Sequence, residues 1–179
     1  KGHVLPGDLV VGTDSHTCTY GALGAFSTGI GSTDMGVTLI TGKLWFMVPE
    51  TIKMNITGTL PAGVFSKDLI LYLIATITAD GATYQAVEFT GPVIEKLSMD
   101  ARFTISNMAV EMGAKAGLIP PDATTLEWVR GRAKRDFIPE VPDPDAHYAK
   151  VMEFDVSSLS PYVAKPHYVD KGVPVGDVV

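Results

Sequence analysis

The sequence predicts an α/β fold, and three observations carry that expectation. Short β-branched or alternating runs at Leu9–Val11, Thr51–Thr57, Thr83–Phe89 and Lys150–Val156 are interleaved with stretches of helical spacing at about 35–45, 67–78 and 100–116. The connections between these runs are long, an order that favours layered helices and strands. Composition agrees, because 179 residues with 46% hydrophobic and 19% charged content suffice for a sizeable core in an ordinary globular domain.

Taken in order, Leu9 to Val11 lies between Gly7 and Gly12 and reads as a buried strand. Asp14, Ser15 and His16 follow at the end of that strand, where open α/β sheets collect ligands. If the backbone stays extended there, Asp14 and His16 share a face that Ser15 does not, which disfavours a Ser15–His16 dyad. Gly21, Gly24, Gly29 and Gly31 permit close backbone approach, either to a ligand or for tight helix-to-sheet packing. A dinucleotide fingerprint is not met, since Asp34 stands three positions after Gly31.

Ser32 or Asp34 caps a helix over about Met35–Trp45, with Val37, Leu39, Ile40 and Leu44 as apolar positions, ended by Pro49. Ile52, Met54 and Ile56 then alternate with polar neighbours, the mark of a half-buried strand. Ser66 caps a helix over Lys67–Thr78, with Asp68 favourably in its first turn and Leu69, Ile70, Leu73, Ile74 and Ile77 on one face. The strand at Thr83–Phe89 puts Tyr84, Ala86 and Glu88 on one side and Gln85, Val87 and Phe89 on the other.

Gly91-Pro92 breaks that strand, and the helix over about Asp100–Ala116 uses Phe103, Met108, Ala109 and Met112 as core contacts. Leu118-Ile119 reads as a short strand, and Thr124 or Thr125 caps a short helix through Arg132. Arg130, Arg132, Lys134 and Arg135 form a basic cluster whose plain reading is a solvated face. Pro139 to Asp145 reads as an extended connector. The chain opens on Lys1 and closes on Asp177-Val178-Val179, a stretch resembling the start of another strand, so a longer parent polypeptide is expected.

A net charge of −6 argues against a broad nucleic-acid surface. There is no run of about 18 apolar residues and no basic-then-apolar leader at the start, so neither a membrane span nor a signal peptide is predicted. The single cysteine, Cys18, excludes an internal disulfide and suits a reducing cytosol, so a cytoplasmic location is expected.

The string Gly12-Thr13-Asp14-Ser15-His16-Thr17 with its glycine-rich sequel resembles the aconitase superfamily, most closely its isopropylmalate dehydratase and homoaconitase branch. Three later segments carry the same resemblance: Val87-Glu88-Phe89-Thr90-Gly91-Pro92, Met99 to Gly117 with Thr104-Ile105-Ser106-Asn107-Met108, and Val163-Ala164-Lys165-Pro166-His167. The resemblance implies three-layer α/β/α domains, present here in part. Residues 1–48 would be the end of a first domain, 49–122 a second, and 123–179 a connector leading into a third. Thr19 fits the isopropylmalate and homoaconitate branch, because aconitases proper carry Asn there. Ser106 stands where many members have a Cys that is not a cluster ligand. His3 and His167 match no catalytic position.

Reversible dehydration of a 2-hydroxy di- or tricarboxylate needs a base at carbon, help for the departing hydroxide, and donors for the carboxylates. By resemblance, His16 serves as proton donor to the hydroxyl or holds a metal-bound water, Glu88 is the carboxylate beside it, and Ser15 donates to substrate or to the groups that surround it. Asp14 would pair with a histidine upstream of Lys1. Without the family, Glu88 reads as a solvent-facing strand residue, and Asp14 and Ser15 as helix caps. The family's [4Fe–4S] cluster is held by three cysteines in motifs absent from this chain, and one thiolate cannot hold it. The chain alone is therefore expected to be inactive, with a small swivel-domain subunit as partner of the intact enzyme. A non-catalytic carboxylate-binding module is the second expectation.

Overall fold

Residues 1–178 are described by a computed structural model in which the predicted short runs become mainly parallel strands. Leu9–Gly12 forms β1 and Phe26–Gly29 forms β2, paired in parallel with Leu9 opposite Phe26 and Gly12 opposite Gly29. This first strand is less enclosed than its β-branched run implies, since Leu9 is 72% exposed. Between the two strands, Ser15–Leu23 winds as a 3₁₀ segment closed by Gly24 in the left-handed region.

Helix α1 spans Ser32–Thr41, beginning before the predicted Met35 and stopping at Gly42, whose left-handed backbone closes the last turn on the Thr38 carbonyl. Its apolar side does not enter the core. Leu39 and Ile40 are 79% and 87% exposed, and Trp45 beyond them is 83% exposed.

A four-stranded parallel sheet holds the main core. Its strands are β3 (Thr51–Thr57), β4 (Ala86–Thr90), β5 (Ala116–Leu118) and β6 (Lys150–Asp155), in the spatial order β5-β4-β3-β6. Helix α2 (Ser66–Ile77) makes the crossover from β3 to β4, as parallel pairing requires. Asp68 fixes its start by accepting the Phe65 N–H at 2.8 Å, and the other carboxylate oxygen accepts the Tyr162 N–H. After β4 come α3 (Pro92–Glu95) and α4 (Met99–Asn107), and α5 (Ala123–Arg130) follows β5. Finally β7 (Tyr162–Ala164) and β8 (Gly172–Pro174) form an antiparallel pair.

Ile52, Met54, Ile56, Val87 and Phe89 from one face of the sheet join Leu69, Ile70, Leu73 and Ile74 of α2 and Ile105 of α4 in one buried cluster. Each such side chain contributes roughly 1.5–3 kcal/mol by leaving water. The other face carries Lys53, Asn55, Glu88 and Glu153, with the Asn55 amide donating to Glu153 at 2.7 Å.

Three departures from the sequence-based expectation have local causes. The strand predicted from Thr83 begins at Ala86, because Tyr84 sits at φ +60° in a turn closed by the Ala82 carbonyl. The helix predicted over 100–116 ends at Asn107, and Met108–Met112 tightens into a 3₁₀ segment ended by Gly113 at φ +83°. The lead-in predicted at the end of the chain is a 3₁₀ turn over Val175–Asp177, and Val179 lies outside the described residues.

Two further contacts fix the architecture. A Cβ on Gly21 would lie 1.9 Å from the Gly117 carbonyl oxygen, so the first 3₁₀ segment rests backbone to backbone on β5. Arg102, fully buried in α4, has every guanidinium N–H satisfied. Nη1 donates to Asp122 Oδ1 at 2.7 Å and to Thr125 Oγ1 at 3.0 Å, Nη2 donates to Asp122 Oδ2 at 2.6 Å and to the Glu95 carbonyl at 2.9 Å, and Nε donates to the Leu97 carbonyl at 3.2 Å. Asp122 is also the N-cap of α5. The basic cluster has its predicted exposed character, with Arg132 stacked on Trp128 and Arg135 paired with Asp8. No described helix is long and apolar enough to cross a membrane.

Candidate functional site

Where β1 ends at Gly12 the chain leaves the sheet, and Asp14 becomes the N-cap of the first 3₁₀ segment, its Oδ1 accepting the His16 N–H at 2.6 Å. Thr17 Oγ1 donates back to the Asp14 carbonyl and Thr19 Oγ1 to the His16 carbonyl, each at 2.6 Å. The capping reading of Asp14 is therefore met, while the extended backbone assumed for the triplet is not. Because the chain coils at Ser15, Ser15 Oγ comes within 3.1 Å of His16 Nδ1 instead of facing away.

His16 is flanked by two carboxylates. Its Nδ1 lies 3.7 Å from Asp14 Oδ1, and its Nε2 lies 3.5 Å from Glu111 Oε1, a residue of the second 3₁₀ segment. The imidazole is thus offered an acceptor at each ring nitrogen. All three groups are open to water, with side-chain exposures of 42%, 76% and 36% for His16, Asp14 and Glu111. Their attraction in this chain is accordingly modest.

Glu88 is not the residue brought to His16. It sits in β4, 7% exposed, and accepts the Tyr148 O–H at 2.8 Å. Its cleft, about 380 Å³, is shared with Gly7, Asp8 and Leu9 at the amino end of β1. Thr13 and Ser15, past the carboxyl end of β1, line a different cleft of about 330 Å³ with Thr28, Val110 and Lys115. The strand between these clefts rises roughly 3.3 Å per residue, which separates them by about 10 Å. Two expectations for Glu88 are corrected together: it is neither solvent-facing nor the partner of His16. Glu111 holds that place, and reading 100–116 as one continuous core helix concealed it.

Burial pushes the Glu88 carboxyl above its ordinary value, against the pull of the Tyr148 hydroxyl and the Lys53 ammonium. The Tyr148 phenol is pushed up to about 12, by burial and by the carboxylate it serves. A carboxyl raised in the folded state stabilises the fold below its unfolded value of about 4.3, and that contribution is lost as pH rises through the folded value. Glu88→Gln keeps an acceptor for Tyr148 and removes the buried charge. The variant is expected to melt above the parent at neutral pH, with the difference closing below about pH 4, as calorimetry across a pH series would report.

The iron–sulfur cluster implied by the resemblance does not fit the donors of this chain. Cys18 is 1% exposed, its thiol donates to the Asn107 carbonyl at 3.4 Å, and burial pushes its pKa up to about 11, the opposite of what a thiolate ligand needs. Among the described residues no group of three or more His, Cys, Asp or Glu side chains converges as a metal site.

Comparison with known sequences decides the family. The family described as "Aconitase family (aconitate hydratase)" matches residues 1–179. The chain belongs to the aconitase family. It is 57% identical over 178 residues to the 3-isopropylmalate dehydratase large subunit 1 of Methanopyrus kandleri, covering 99% of this chain and 43% of that one. The corresponding large subunit 1 of Pyrococcus furiosus is 57% identical over 174 residues, 97% of this chain and 41% of its own. A probable methanogen homoaconitase large subunit of Methanosarcina mazei is 52% identical over 178 residues, 99% of this chain and 46% of its own. This aconitase-family chain therefore spans less than half the length of the curated relatives it matches.

Proposed function

We propose that this chain is part of the large subunit of an aconitase-type hydro-lyase that isomerises 2-isopropylmalate to 3-isopropylmalate by dehydration and rehydration, a step of leucine biosynthesis. Near-complete coverage at 57% identity by subunits named for that dehydratase carries the reading. In it, residues 1–48 complete a first α/β domain, 49–122 form a second, and 123–179 lead into a third.

His16 acts as the general acid that delivers a proton to the departing hydroxyl, and takes it back from water on rehydration. Glu111 and Asp14 hold the imidazole between them, and Ser15, 3.1 Å from its Nδ1, donates to substrate. The base at carbon, the cations for the substrate carboxylates and the cysteines for a [4Fe–4S] cluster belong to polypeptide outside these residues, so the chain alone is inactive. A small swivel-domain subunit completes the enzyme, and the location is cytoplasmic.

The test is a steady-state assay of the full-length large subunit, reconstituted with its small subunit, on 2-isopropylmalate and homocitrate. Faster turnover of 2-isopropylmalate is the expected result. A preference for homocitrate would transfer the assignment to homoaconitase, a reading favoured by the Methanosarcina mazei relative. Failure to dehydrate any 2-hydroxy carboxylate overturns the enzyme assignment.

A further inference from the structure

His16 and Glu111 stand far apart in sequence and on separate 3₁₀ segments, Ser15–Leu23 and Met108–Met112, so their 3.5 Å approach depends on how those segments are docked. One residue ties the two together. Asn107 is the last residue of α4 and the N-cap of the segment bearing Glu111. Its side-chain amide donates to Thr19 Oγ1 at 2.9 Å, Thr19 Oγ1 donates to the His16 carbonyl at 2.6 Å, and its own carbonyl accepts the Cys18 thiol at 3.4 Å.

We infer that Asn107, acting through Thr19, is a positioning residue that sets the separation of His16 and Glu111. Both act on His16 through its main-chain carbonyl, not its ring, and so are positioning residues. The donor chain runs in one direction, amide to hydroxyl to carbonyl, and its members polarise one another. It ties the second turn of one 3₁₀ segment to the N-cap of the other. Since such segments are strained over more than a few residues, the spacing of the two side chains follows from this clamp rather than from local winding. Its catalytic consequence rests on the hydro-lyase reading above, whereas the geometric inference stands on the hydrogen bonds alone.

The experiment therefore has two arms. In the 179-residue chain, the side-chain ¹⁵N signals of His16 are recorded by NMR with and without Glu111→Gln. Glu111→Gln is expected to move the Nε2 signal in the parent and in Thr19→Ser, and to leave it unmoved in Thr19→Val, which keeps the shape of threonine and loses the hydroxyl. In the reconstituted enzyme, Thr19→Val and Asn107→Ala each lower kcat about tenfold with KM within twofold, and the double variant loses no more than either single, as members of one chain should. If Asn107→Ala does not fold, the Thr19 pair carries the test. An unchanged Nε2 response in Thr19→Val, or additive losses in the double variant, overturns the inference. Loss of the response in Thr19→Val together with a parent enzyme inert toward every hydroxy acid instead condemns the hydro-lyase reading and leaves the clamp standing.

Discussion

On the proposed hydro-lyase reading, His16→Gln in the reconstituted full-length enzyme is expected to lower kcat by about 10²- to 10⁴-fold and to leave KM within a few-fold, the loss typical of removing a general acid. Glutamine retains hydrogen-bonding capacity at that position and cannot deliver a proton at neutral pH. A companion pair of variants separates the two carboxylates that compete for the role of partner. Glu111→Gln, 3.5 Å from the ring, is expected to cost about tenfold or more in kcat, while Glu88→Gln, tied to Tyr148 in another cleft, stays near the parent rate. Steady-state kinetics on the three enzymes measures this directly. A large loss in Glu88→Gln with none in Glu111→Gln would falsify the assignment of the pair.

Arg102→Met is the substitution with the largest expected effect on stability, about 3 kcal/mol in a denaturant titration, because it leaves two carbonyls and a half-buried carboxylate without their donor. Methionine fills much of the volume but strands the Glu95 and Leu97 carbonyls and the Asp122 carboxylate, all of which the guanidinium now serves. The pair also leaves a signature in pH. Partial burial raises the Asp122 carboxyl, but the Arg102 hydrogen bonds, the Thr125 N–H and the guanidinium charge together hold it below its ordinary value. A carboxyl lowered in this way stabilises the fold above its unfolded value of about 3.9, and the stabilisation disappears as pH falls through the folded value. Stability of the parent should therefore drop below about pH 4, and that component of the drop should be missing from Arg102→Met.

Much of the scaffold is legible in the residues themselves. Alternation of Ile52, Met54 and Ile56 yields β3 at the predicted bounds, because a two-residue period has one structural solution when one face is buried. The apolar spacing of α2 is equally direct. Local patterning fails for α1, whose Leu39 and Ile40 have the periodicity of a core helix and yet remain exposed, since period reports that a face exists and not what covers it. Arg102 carries no sequence signal at all: its value arises from Asp122, twenty residues on, and from two main-chain carbonyls. His16 and Asp14 are legible from their motif. Glu111 is hidden because it lies inside a run with helical spacing, and only the switch from α to 3₁₀ winding after Asn107 turns it toward the imidazole.

That switch also orders the way the molecule fails. A 3₁₀ segment of nine residues is much longer than the backbone sustains unaided, so Ser15–Leu23 keeps its winding only while Gly21 stays seated on Gly117 and Asn107 stays latched. Gentle warming or dilute denaturant would loosen that seat before it reached the α2 core, so the approach of His16 to Glu111 would be lost while circular dichroism still looked native.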